Sequence, residues 1–167
     1  MTTERQFDPI RALQTLNRHA VAYVLIGGFA GKLHGSPALT VDIDVCYARD
    51  PANLERLAAA LGELHGVLRG APPDIPFRLD ARTLAAGDAF TFVTDAGDLD
   101  ILGTPAGSNG FEELARNAIE MDLGEVRVRV AALEDLIAMK RASGRPRDRA
   151  HLEILAALRD ETDRADQ

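Results

Sequence analysis

The segment Tyr23 to Cys46, YVLIGGFAGKLHGSPALTVDIDVC, constrains the fold more than any other part of the chain. It places a Gly-Gly pair directly after an apolar run and an Asp-x-Asp pair inside another. Tyr23 to Ile26 is apolar and partly β-branched, the composition of a buried strand. Gly27 and Gly28 leave the backbone amides that follow it uncovered by any Cβ, so an anion such as a phosphate can approach them closely. From Thr40 to Val45 polar and apolar residues alternate strictly. Thr40, Asp42 and Asp44 therefore share one strand face, and Val41, Ile43 and Val45 share the other. One face belongs to a core and the other to chemistry.

Two carboxylates two residues apart on a strand can converge on a cation, and without one they repel by about 4 kcal/mol at 4 Å and an effective dielectric near 20. Hard oxygen donors with no Cys/His cluster point to Mg2+ or Mn2+. A third acid stands downstream. Ala89 to Thr94 alternates as a strand, Asp95-Ala96-Gly97 reads as a hairpin turn, and Asp98-Leu99-Asp100-Ile101-Leu102 returns. Asp98 and Asp100 point the same way. Asp100, enclosed by Leu99 and Ile101, is the candidate ligand, whereas Asp98 sits at the turn where water reaches it.

The remaining pattern gives an α/β layout. Helices are expected over Pro9 to His19, Ala30 to His34, Asp50-Pro51 to Gly62, Ala81 to Ala86, Phe111 to Asn117, Ala132 to Ala142 and Asp148 to Arg159. Strands are expected at Ala22 to Ile26, Leu39 to Cys46, Ala89 to Thr94, Asp98 to Leu102 and Glu125 to Val130, the last as an outer strand with its valines on one face. The loop from Gly70 to Pro76 carries three prolines, and the charged tail from Asp160 to Gln167 is expected to fray. The reading is a mixed sheet flanked by helices, with an α/β core over 1–131 and a C-terminal helical hairpin over 132–167 packed on it as one compact domain.

Composition narrows the setting. A chain of 167 residues with 46 % hydrophobic content can bury one core. Cys46 is the single cysteine, so it forms no internal disulfide, and its place at the strand end reads as a packing thiol rather than a nucleophile. No apolar run approaches a membrane span and Met1 to Phe7 is polar, so a cytoplasmic protein with no membrane partner is expected. Net charge is -7, which disfavours nonspecific polynucleotide binding. Residues 140–149 run against that trend. Lys140, Arg141, Arg145, Arg147 and Arg149 outnumber Asp148 there, leaving -11 on the rest of the chain. The cluster is either a solvated surface or a contact for triphosphate or acceptor.

Taken together, these motifs resemble the nucleotidyltransferase superfamily whose best-known member is DNA polymerase beta. The resemblance is stronger to its small bacterial members: minimal nucleotidyltransferases, abortive-infection and toxin-antitoxin transferases, and antibiotic adenylyltransferases. The family pattern, Gly-Gly-x-Ala-x-x-x-His-Gly-x-x-Arg-x-Thr-x-Asp-Ile-Asp, is matched at Gly27, Gly28, Ala30, His34, Gly35, Thr40, Asp42, Ile43 and Asp44, while Ala38 stands where the family has Arg. It extends to Leu133 through Lys140 and to Gly144-Arg145-Pro146-Arg147-Asp148.

The resemblance implies transfer of a nucleoside monophosphate from an NTP to a hydroxyl on a small molecule, a protein or a tRNA, with a possible partner protein of a toxin-antitoxin pair. Asp42, Asp44 and Asp100 would be the metal and catalytic residues. Gly27, Gly28 and Thr40 would hold the nucleotide, joined by Lys140 and by Arg145, whose loop position could replace the missing Arg. Two other readings stay open: a domain that binds nucleotide or a partner without turnover, motivated by Ala38, and a metal-stabilised structural domain. His34 is read either as a substrate contact or as a packing residue at a helix end.

Overall fold

In the computed structural model, which describes residues 6–72, 74–146 and 148–167, the first helix starts where Asp8 precedes a proline. Met1–Arg5, Pro73 of the proline-bearing loop and Arg147 of the basic turn lie outside the described residues. The Asp8 carboxylate accepts the Arg11 N–H at 3.1 Å, and Pro9 lacks the N–H that would otherwise need a partner at the first helical position. This helix, α1 (Pro9–Arg18), buries Ala12, Leu13 and Leu16. The same device recurs at Asp50, whose side chain accepts from Asn53 N–H at 3.0 Å ahead of α3 (Pro51–Glu63).

Between these helices lie β1 (Tyr23–Ile26), α2 (Gly27–Leu33) and β2 (Asp42–Tyr47). After α3 come β3 (Val67–Leu68), α4 (Ala81–Ala86), β4 (Ala89–Thr94), β5 (Gly97–Leu102) and α5 (Phe111–Asn117). The chain closes with β6 (Ile119–Asp122), β7 (Arg127–Val130), α6 (Leu133–Ser143) and α7 (Asp148–Ala165). The strands form one 7-stranded mixed sheet in the order β3-β4-β5-β2-β1-β7-β6. β2 pairs parallel with β5 and antiparallel with β1, and β1 pairs parallel with β7.

The centre of the sheet is apolar because Val24, Leu25, Ile43, Val45, Leu99, Ile101, Phe92 and Val130 alternate onto covered faces. One polar residue within this core is fully satisfied. Asn53 accepts from Ala22 N–H at 2.7 Å and donates to the Ala22 and Ala48 carbonyls at 3.1 and 2.7 Å, so α3 clips the start of β1 to the end of β2.

The expected α/β sheet, the flanking helices and the C-terminal pair α6 and α7 are all present, while several boundaries move. β2 begins at Asp42 rather than Leu39, and Leu39 and Val41, the latter expected on the core face, are 96 % and 74 % exposed. The neighbours explain it: β1 ends with Ile26 opposite Asp44, and Asp98, opposite Asp42, lies one residue from the start of β5. Residues 39–41 run past both partners. α2 starts at Gly27, not Ala30, since Gly27 itself turns the chain with φ +73°.

β7 is not an outer strand, because β6 covers its edge, and its pairing starts at Arg127. Nor does the acidic tail fray at Asp160. α7 continues to Ala165, with Thr162 Oγ1 bonded to Leu158 O at 2.9 Å and no helix breaker in the run.

Near the end of α3, Gly62 has open space where a Cβ would stand and a negative φ, so only the entropy cost of glycine remains there. Gly62→Ala is expected to raise stability by about 0.5–1 kcal/mol in urea denaturation.

Candidate functional site

The parallel pairing of β2 with β5 sets Asp44 opposite Asp100 and Asp42 opposite Asp98. Side-chain oxygens of Asp42, Asp44 and Asp100 all lie within 4.8 Å of one another, each residue half-buried, and among the described residues this is the cluster able to hold a metal ion. The alternation of both strands produces it, since Ile43, Leu99 and Ile101 turn into the core and force the acids to the opposite face. Asp98 faces Arg69 instead, at 3.0 Å from Nη1.

Burial, then the charges of Asp42 and Asp100, push the Asp44 carboxyl up to about 7. A hydrogen bond between Asp44 and Asp100 adds to this, and the field of Lys140 opposes it. Asp100 is raised as well, by burial first, against the opposing Arg69 guanidinium. Such a group of acids crowded enough to retain a proton near neutrality fits a small divalent cation, which replaces the proton with two charges and accepts only oxygen donors.

Gly27 is required by contact as well as by conformation, at φ +73°, while Gly28 is only tightly approached. A Cβ on Gly27 would stand 2.1 Å from Asp44 Oδ2, and one on Gly28 would meet Thr40 Oγ1 at 3.2 Å. Gly27 therefore seats the Asp44 carboxylate against the start of α2, and Gly28 leaves room for Thr40. Thr40, though off the strand, remains beside Asp42, its hydroxyl bonded to Asp42 O at 3.2 Å and 3.4 Å from Oδ1.

The other candidates divide. Lys140 Nζ donates to Asp148 Oδ1 at 3.1 Å, and Ser143 Oγ lies 2.5 Å from Asp148 Oδ2, which joins α6 to α7 around a buried carboxylate. Burial alone would raise the Asp148 carboxyl, but Ser143 and Lys140 outweigh it and hold the group below its ordinary range. Lys140 thus has a structural partner while its charge still reaches Asp44. Arg145 is exposed in the turn between the two helices, where its charge acts on Asp148.

His34 is held at 2.8 Å from Ala131 O, tying the end of α2 to the end of β7, as its packing reading expects. Cys46 is buried with its thiol donating to Gly103 O, and burial followed by Asp88 pushes it up to about 12, so it is no nucleophile at neutral pH. Sequence reasoning missed Arg69, which pairs with both Asp98 and Asp100. It follows a two-residue strand, too short to show a period.

A family model described as nucleotidyl transferase AbiEii toxin, type IV toxin-antitoxin system, matches residues 11–163. The chain belongs to the AbiEii nucleotidyltransferase family. By fold it is similar to the lincomycin-bound lincosamide antibiotic adenylyltransferase LnuA, at a TM-score of 0.59 and 15 % identity over 87 % of this chain and 92 % of that one. A nominal nucleotidyltransferase from Thermotoga maritima aligns over 99 % of this chain and 97 % of that one, at 15 % identity and a TM-score of 0.49. No curated protein matches by sequence. The family match and the likeness to the adenylyltransferase show a nucleotidyltransferase fold, in which this chain sets its acids on β2 and β5. No helix among the described residues is long and apolar enough to cross a membrane.

The raised Asp44 carboxyl has a definite sign in stability. Its folded value exceeds its unfolded one, so the folded chain binds the extra proton between about pH 4 and 7 and loses that stabilisation as pH rises through the window. Thermal melts in chelator are expected to show wild type less stable at pH 8 than at pH 5. Asp44→Asn should lack this component and melt higher than wild type at pH 8; an unchanged pH profile in the variant would place the crowding elsewhere.

Proposed function

We propose that this chain is a Mg2+- or Mn2+-dependent transferase that moves a nucleoside monophosphate from an NTP to an acceptor hydroxyl. The observation that carries the reading is the convergence of Asp42, Asp44 and Asp100 beside Gly27 and Gly28. In this reading Asp42, Asp44 and Asp100 hold the divalent ion. When bound, the ion supplies charge neutralisation to the triphosphate and acidity to the acceptor hydroxyl.

The chain's own groups do the rest. Gly27 and Gly28 offer backbone amides to phosphate oxygens, with Thr40 as an auxiliary donor. Asp100 takes the proton of the attacking hydroxyl as a bond forms to the α-phosphorus and pyrophosphate departs. Residues 132–167, packed on the 1–131 core as one unit, bring Lys140 and Arg145 toward the substrate side. Positioning and charge neutralisation supply most of the catalysis.

The family description supports a toxin of a toxin-antitoxin system with a partner protein; in this reading it acts in the cytoplasm on a small molecule, a protein or a tRNA. A second reading, nucleotide or partner binding without turnover, is favoured by Ala38, which offers no guanidinium where the family pattern has one. Incubation with labelled NTPs and Mg2+ in lysate separates the two. Label on a discrete acceptor with pyrophosphate release supports transfer, and binding without either supports the second reading.

Asp42→Asn and Asp44→Asn are each expected to abolish transfer and the Mg-NTP-induced rise in Tm. Asp100→Asn should leave nucleotide affinity nearly unchanged and lower turnover by on the order of 100-fold or more, since its role falls in the transition state. If Asp98→Asn is instead the damaging change, the wrong acid of β5 carries the chemistry.

Arg145, exposed and without an ion pair among the described residues, is available for phosphate. Arg145→Ala is expected to weaken NTP or acceptor binding by about 1–3 kcal/mol with stability altered by less than about 0.5 kcal/mol. Titration calorimetry with a non-hydrolysable NTP, and acceptor binding once the acceptor is known, measure it. Unaltered affinities would leave the basic turn a solvated surface.

A further inference from the structure

Arg69 lies outside every motif that marks the site, yet the sheet register aims it at the centre. Leu68 stands opposite Phe92, and the Arg69 N–H donates to Thr91 O at 2.9 Å, which carries the register one step further. Thr91 stands opposite Asp100, and Asp100 opposite Asp44. Arg69, one residue past β3, thus ends a cross-strand row through Thr91, Asp100 and Asp44 on β4, β5 and β2, and its long side chain reaches across Thr91. Its Nη1 bonds Asp98 Oδ2 at 3.0 Å and its Nη2 bonds Asp100 Oδ1. Among the described residues it is the one cation paired with any of the three clustered acids, because the Lys140 amine is engaged by Asp148.

We propose that Arg69 is a positioning residue of the acidic centre, a built-in cation that holds Asp100 in the ion-free chain and sets how tightly the centre takes a divalent ion. The proposal rests on the reading of Asp42, Asp44 and Asp100 as ion ligands. Asp100 is only 19 % exposed, so its pairing with Arg69 is poorly screened by water, and the two oxygens that the guanidinium grips are on different strand positions of β5. An arriving ion needs an oxygen that Arg69 already occupies, and its two charges repel the guanidinium beside it. Asp98 supplies the second anchor. With Asp100 surrendered to the ion, Nη1 still has its partner, so Arg69 withdraws without being cast loose and returns when the ion leaves. The pair Asp98–Arg69 is in this way a counterweight that keeps an empty, crowded centre folded at the expense of ion affinity.

Manganese titration of the chelator-treated full chain, by calorimetry and by electron paramagnetic resonance of free Mn2+, tests this. Arg69→Gln is expected to bind Mn2+ about tenfold more tightly than wild type, and Arg69→Lys, which keeps the charge but loses the fork, to stay within about twofold of wild type. Ion-free Arg69→Gln should melt below ion-free wild type and show the larger rise in Tm on adding Mn2+. Equal or weaker Mn2+ binding by Arg69→Gln overturns the proposal and leaves the metal reading standing. Absence of Mn2+ binding in wild type and in Arg69→Gln alike overturns both, whereas binding by the variant alone supports Arg69 as the occupant of the site.

Discussion

The pairing of β2 against β5 brings Asp44 opposite Asp100 with Asp42 alongside, and most of the surrounding structure accommodates the repulsion that follows. Like charges at this spacing cost on the order of 4 kcal/mol at an effective dielectric near 20. An isolated sheet would relieve that by slipping register, but a one-residue slip of β2 would drive Ile43 and Val45 out of the core, and one of β5 would do the same to Leu99 and Ile101. Apolar burial on one face therefore fixes the acids on the other. The strain is partly relaxed by a retained proton on Asp44, by Arg69 on Asp100, and by the field of Lys140.

Gly27 and the C-terminal helices both bear on this centre, the glycine by contact with Asp44 and Lys140 by its charge. Gly27 combines a left-handed backbone with the absence of a Cβ, and both are needed, because the Asp44 carboxylate occupies the space a side chain would fill. α6 packs on α2 and is joined to α7 through the buried Asp148, so Lys140 is held by a satisfied ion pair rather than by solvent. Breaking such a pair from one side leaves a buried charge uncompensated, which costs more than the pair itself contributes. That rigidity gives Lys140 a fixed position from which its charge reaches Asp44.

Much of the site is legible without coordinates because its residues report strand geometry directly. Asp-x-Asp with aliphatic neighbours can be read only one way on a pleat, and Asp100 between Leu99 and Ile101 follows from the same rule; the structure brings the three together. The caps at Asp8 and Asp50, each followed by proline, likewise announce α1 and α3. What escaped were elements defined by their neighbours. β3 has two residues, too few to display a period, and β6 alternates but is largely exposed and adds little to the core; both exist because β4 and β7 offer edges to pair with. Leu39 and Val41 look like strand residues, but the strands beside them stop short.

The sequence by itself determined which residues are acidic, which positions lack a Cβ and which strand faces are apolar, because these depend on covalent structure and on local periods of two and 3.6 residues. Only the tertiary structure decided that β2 and β5 lie side by side and parallel, that Lys140 is engaged by Asp148, and that Arg69 stands in one row with Asp100 and Asp44. Those are contacts between segments eight to fifty-odd residues apart. Their choice is set by the order in which strands join a sheet, and no local pattern in the chain encodes that order.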